Sequence, residues 1–171
     1  MYATHRTRGN RGFTLVEVLV TLLVLSIGLL GIAKLLLVSS RGNDSAYLRT
    51  QATALAYSIL DSMRANRQAA LAGNYNGTSA AAANPNTQCP VGSPCSASTI
   101  AQYDMWNWQQ ALTTGLGPSG SGTVTTATVA DPVTGGNDVT ATITVQWNDS
   151  VAQQTFGAAA SNVTVTLETV L

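Results

Sequence analysis

Residues 13–38 of this 171-residue chain read FTLVEVLVTLLVLSIGLLGIAKLLLV, and this run constrains the fold more than any other stretch. As a helix its 26 residues would extend roughly 39 Å, against a hydrocarbon core of about 30 Å, so it spans a bilayer with tilt. It is longer than the apolar region of a secretory signal peptide, and it reads as an anchor. Arg6, Arg8 and Arg11 precede it and hold that end in the cytoplasm, sending the rest across. Lys34, near the far end, can snorkel to the interface. Glu17 is the anomaly, because a carboxylate near the apolar phase costs a few kcal/mol depending on its depth. A glutamate kept wet by headgroups is the plain explanation.

The residues around Glu17 supply another. RGFTLVEVLV, a short basic leader ending in Gly12, then aromatic Phe13, then Glu17 and a long apolar run, resembles the class III signal of type IV prepilins. The resemblance implies cleavage between Gly12 and Phe13 by a membrane aspartyl peptidase on the cytoplasmic face, followed by N-methylation of Phe13. Physical chemistry agrees with it. Cutting after Gly12 creates an α-amino group, and a carboxylate one helical turn further on can pair with that amine in a neighbouring subunit. In a filament core shielded from water such a pair selects register, provided both charges stay matched. Glu17 is therefore the expected subunit-registration residue.

Beyond Val38 the helical period continues, with Leu48, Ala52, Leu55, Ala56, Ile59 and Met63 on one stripe and Gly73 as the stop. The first half of this helix is apolar all round and the second amphipathic, the pattern of a spine carrying a head. Gly28 and Gly31 inside it suggest close helix packing, with local melting during assembly as the alternative. Residues 74–98 are rich in Ala, Asn, Gly and Pro and read as loop. Within them Cys89 and Cys95 enclose five residues, and outside the cytoplasm so close a pair is expected as a disulfide pinning a loop. Two such ligands make a poor zinc site.

YDMWNWQQALTTGLG predicts a short helix with Asp104 as N-cap and Met105, Trp108, Leu112 and Leu116 on one face. Trp106 and Trp108 offer stacking surfaces for a sugar, but both are read as core. SGTVTTATVA, DVTATITVQW and NVTVTLETVL alternate with period two and predict an antiparallel sheet of three or four strands, with DPVTGGN as a hairpin connection. Asp131, Asp138 and Asp149 have the oxygen chemistry for calcium, but ordinary turn roles explain them, and no metal or other cofactor is expected. The expected fold class is α+β, a type IV pilin-like arrangement of a long N-terminal helix against a small antiparallel sheet. The expected divisions are a cleaved leader over 1–12, an apolar helix over 13–40, an amphipathic helix over 41–72 and a head over 73–171.

Charge excludes several functions. From Gln68 to Leu171 there is no Lys or Arg, and the formal charge of that stretch is −5, a surface that repels phosphate and argues against a DNA-uptake pilin. The single histidine, His5, lies in the leader, so no imidazole remains after cleavage and an envelope enzyme is not expected. VEVLVTLLVLSIGLLGIAKLLL, QATALAYSILDSMRANR, DMWNWQQAL and TVQWND resemble minor pilins of the type IV pilus modification (PilV) family. That resemblance implies other minor pilins and the major pilin as partners, with the prepilin peptidase, the inner-membrane assembly machinery and a tip adhesin. It implies a chain first inserted in the bacterial inner membrane with its head in the periplasm, then carried into the pilus, serving assembly priming, twitching motility and attachment. Tip-most pseudopilins often lack the glutamate, so Glu17 implies a pilin neighbour on the far side of that contact. A minor pseudopilin of a type II secretion system would share the same signal.

Overall fold

The structure, a computed structural model, describes residues 12–84, 94–130, 137–149 and 162–171. Helix α1 runs from Leu15 to Ala65 and is followed by α2 (Arg67–Leu71), β1 (Gly77–Thr78), a 3-10 turn (Ser79–Ala81), α3 (Ala97–Leu116), β2 (Ser121–Ala130), β3 (Asn137–Asn148) and β4 (Asn162–Val170). The chain divides into two compact units, one ending at Ser40 and one running from Arg41 to Leu171. The fold class is α+β, and the pilin-like packing of α1 on an antiparallel sheet is present.

In the first unit α1 passes through Gly28 and Gly31 without interruption, and a Cβ at either would meet nothing within 4 Å. In the second unit the helical stripe buries Ala52, Ala56, Ile59, Leu60 and Met63, with Leu48 and Leu55 packed alongside. The helix breaks at Asn66, about two turns before the predicted stop at Gly73. Asn66 adopts non-helical angles, and its amide donates to the Tyr75 hydroxyl at 3.3 Å and to the Ala97 carbonyl at 2.7 Å. A short polar side chain that can bond elsewhere competes with the helix at that point. Gly73 then closes α2, with its N–H on the Ala70 carbonyl at 3.0 Å and the Asn74 N–H on the Ala69 carbonyl at 2.9 Å. Those two bonds form a Schellman motif whose C′ residue takes φ +75°, which glycine adopts without strain.

The stretch 74–98, expected as loop, supplies β1, the 3-10 turn and the first residues of α3. Helix α3 starts earlier than predicted. Its N-cap is Ser96, whose Oγ accepts from the Thr99 N–H at 3.1 Å, and not Asp104. Asp104 lies inside the helix, where its carboxylate accepts a hydrogen bond from the Tyr75 hydroxyl at 2.5 Å. Met105, Trp108, Leu112 and Leu116 are all buried. Trp106 departs from expectation, being half-buried with its ring centroid 6.1 Å from that of Tyr103. Two residues along a helix turn a side chain about 200° away, so Trp106 and Trp108 cannot share the core.

The four strands pair antiparallel in the order β1-β2-β3-β4. Val124, Ala141, Ile143, Val145 and Trp147 are fully buried on one face, each large side chain contributing about 1.5–3 kcal/mol. The opposite face carries Thr123, Thr125, Thr142, Thr144, Thr164 and Thr166, as period-two alternation requires. Trp108 ties the layers together. Its Nε1 donates to the Leu55 carbonyl at 2.9 Å, and a Cβ on Gly122 would stand only 2.1 Å from its ring. Ser79, buried beside it, accepts from the Gly122 N–H at 2.9 Å and donates to the Gln109 side-chain oxygen. Among the described residues Trp147 Nε1 is the buried side-chain donor left without a partner.

Two stability predictions follow from this packing. Gly122→Ala forces the indole to move and is expected to destabilise the fold by about 1–3 kcal/mol, seen as a lowered denaturation midpoint in detergent. Burial, and then its hydrogen bond to Asp104, push the Tyr75 hydroxyl well above its ordinary pKa. The unfolded chain therefore releases that proton near pH 10 while the folded chain retains it, so the stabilisation is complete below about pH 10 and declines as pH rises further. Thermal unfolding between pH 9 and 11 is expected to show this decline, and Tyr75→Phe to remove its share of it; an unchanged slope in the variant would refute the assignment.

Candidate processing and assembly site

Residues 12–14 precede the helix and are not helical. Thr14 caps it, with its Oγ1 accepting from the Glu17 N–H at 3.3 Å and its carbonyl accepting from the Glu17 N–H at 3.1 Å and the Val18 N–H at 3.3 Å. Threonine at the cap with glutamate three residues on is the spacing of a capping box. The first-turn N–H groups leave partial positive charge at this end, which favours the Glu17 carboxylate by about 0.3–1 kcal/mol. Glu17 thus has a local reason to stand where it does.

The Glu17 side chain is nevertheless exposed, and Phe13 is 81% exposed. No hydrogen bond or ion pair within the described residues occupies the Glu17 carboxylate. The Gly12–Phe13 bond lies in the non-helical lead-in, where no helical hydrogen bond protects it. Large apolar side chains from Phe13 to Leu37 are all exposed, from 47% at Val18 to 82% at Leu15. An apolar surface of that extent requires lipid or protein around it. The helix that carries it is long and apolar enough to cross a membrane.

Comparison with known families bears on this geometry directly. The family model described as the prokaryotic N-terminal methylation motif matches residues 7–33, which include Gly12, Phe13 and Glu17. A second, described as type IV pilin Tt1218, matches residues 38–106, covering the rest of α1 and the chain through the first half of α3. Residues 7–33 thus carry the prepilin methylation motif and residues 38–106 a type IV pilin domain, and the chain is similar to the type IV pilins. No curated protein and no solved structure gives a significant match to it. The likeness is to structural subunits, and it implies association with the membrane and with other pilus components.

The remaining predicted residues fall elsewhere. Cys95 lies just before α3, and Cys89 lies outside the described residues. Asp131 is also outside them. Asp138 is exposed at the start of β3, whereas Asp149 is buried, with its carboxylate accepting from the Ser45 hydroxyl at 2.5 Å. Among the described residues no three His, Cys, Asp or Glu side chains gather as metal ligands would. The residue that sequence reasoning passed over is Thr14. Its signal was present in the T-x-x-E spacing ahead of an apolar run.

Proposed function

We propose that this pilin is a minor subunit that primes and supports assembly of the type IV pilus within a tip-associated complex of minor pilins, and so serves twitching motility and attachment. The exposed Glu17, one turn beyond Phe13 on an uncovered apolar helix, is the observation that carries the reading. A filament supplies both things this end lacks, namely a protein coat for the apolar surface and an amine for the carboxylate. The segments that resemble the pilus modification group support the minor-pilin reading. On this reading the prepilin peptidase cuts after Gly12 and Phe13 is methylated. The head crosses the inner membrane to the periplasm, and a Cys89–Cys95 disulfide pins the loop before α3. Processed chains then leave the inner membrane for the growing fibre together with the major pilin and other minor pilins.

The expected outcome in cells is specific. Mature protein extracted from membranes starts at methylated Phe13 by intact mass, both in the natural chain and in Glu17→Ala. Leaving the neighbour's amine buried without its counter-charge costs about 3–5 kcal/mol, so sheared pili of the variant contain little or none of the subunit. A deletion strain has fewer surface pili and twitches poorly. Normal incorporation of the Glu17→Ala chain would defeat the pairing, and normal piliation of the deletion strain would defeat the priming role.

A further inference from the structure

A cavity of about 520 Å³ opens between β1 and the first half of α3, within the range of about 300–1,000 Å³ usual for small-molecule sites. All of its lining residues are among those the structure describes. The buried part of the lining is Tyr75 and Met105, with the Tyr75 hydroxyl tied to Asp104 at 2.5 Å. Around them stand Asn74, Asn76, Thr78, Asn84 and Gln102, and none of the lining residues is charged. Asn76 is held in place, because its Oδ1 accepts from the Thr126 N–H at 2.8 Å and the Thr126 hydroxyl at 3.0 Å, which leaves its Nδ2 as a donor. Among the described residues the side chains of Asn74, Thr78, Asn84 and Gln102 make no hydrogen bond. Helix α3 adds an aromatic rim. Gln102 lines the cavity, and Trp106, four residues on, is its neighbour along the helix surface. Trp106 is half-buried, Tyr103 is 52% exposed, and their ring centroids stand 6.1 Å apart with the planes at 38°. Of the two tryptophans that offer stacking surface, Trp108 is therefore spent in the core and Trp106 is not.

We infer that this cavity and its aromatic rim bind a neutral oligosaccharide. A pyranose presents C–H faces that pack on aromatic rings, and adjacent hydroxyls that each both donate and accept. A carboxamide offers a donor and an acceptor side by side, so Gln102, Asn74 and Asn84 can each serve a pair of neighbouring hydroxyls. Sugars bearing carboxylate, sulfate or phosphate are disfavoured. The cavity holds no cation, and the stretch from Gln68 to Leu171 has none to lend and a formal charge of −5. A peptide could also bond to the amides, but its usual anchorage is a long apolar groove or a free strand edge, and β1 beside the cavity is two residues long. The site uses none of Gly12, Phe13 and Glu17, so it stands apart from the role in pilus assembly.

Full-length protein in a detergent without a sugar headgroup tests this on an array of neutral oligosaccharides of glucose, galactose, mannose and N-acetylglucosamine, printed beside acidic oligosaccharides and unrelated peptides. The chain is expected to be retained on neutral sugars, and its tryptophan fluorescence to change when the retained sugar is titrated in solution. Gln102→Ala removes an exposed side chain with no internal bond to lose, so it is expected to weaken binding about tenfold with an unchanged thermal midpoint. Tyr103→Ala is expected to weaken binding as well. Gln110→Ala, exposed on α3 but outside the cavity, is expected to leave it unchanged. Retention of no neutral sugar, retention of acidic sugars or peptides alone, or equal affinity in the natural chain and Gln102→Ala would each overturn the proposal.

Discussion

The second unit depends on the placement of one side chain, Trp108. Its indole lies between α1, whose Leu55 carbonyl accepts its N–H, and β2, whose backbone at Gly122 it touches. A helix and a sheet pack with their axes about 10 Å apart, and an aromatic ring fills that gap with a polar handle left to satisfy. The sequence supports this contact with a glycine, Gly122, where the ring presses. The hydroxyl of Ser79 meets the N–H of Gly122 and so removes the cost of burying that strand start. Asn66, Tyr75 and Asp104 close the other end of the helix layer through a chain of hydrogen bonds. Because that chain spans the break in α1 and the middle of α3, it fixes where the helix stops relative to the sheet.

Periodicity made most of this arrangement legible. The stripe from Leu48 to Met63, the face from Met105 to Leu116 and the three alternating strands each reflect a local repeat that burial enforces, and repeats of that kind survive without knowledge of the tertiary fold. What escaped was set by competition between local options or by long-range partners. Ser96 and Asp104 are both acceptable N-caps, and the earlier one prevails because nothing between Ala97 and Asp104 disfavours helix. Asp104 is held instead by a tyrosine 29 residues away, which no local pattern announces. Asn66 breaks α1 for the same reason, its amide being engaged by Ala97, 31 residues on. Trp106 shows the reverse error, in which residue type outweighed helical phase.

The prepilin-type motif was the most legible part, because Gly12, Phe13 and Glu17 lie within six residues. A motif this short, matched over residues 7–33, is legible in the sequence before any fold exists. Thr14 adds a structural element to that signal. By capping the helix it sets where the first turn begins, and so sets the height of the Glu17 carboxylate above Phe13. A glutamate at the third helical position is favoured by the helix terminus while its side chain remains exposed. The helix terminus and the exposure of the side chain together explain how an ionisable group persists at the edge of an apolar run.

The same economy of charge shapes the head. Only 9% of the chain is charged, and the sheet is solvated mainly by threonine hydroxyls on one face. Hydroxyls satisfy water without building a strong field, so a surface of this kind can approach another protein closely without the repulsion that a dense single-sign charge would impose. They also leave the strand edge undefended, since threonine favours strands and blocks no pairing, whereas the lysines that commonly guard an edge are missing from the whole stretch after residue 67. The apolar side chains exposed from Phe13 to Leu37 are the counterpart of that reserve, a surface left unfinished within a single chain.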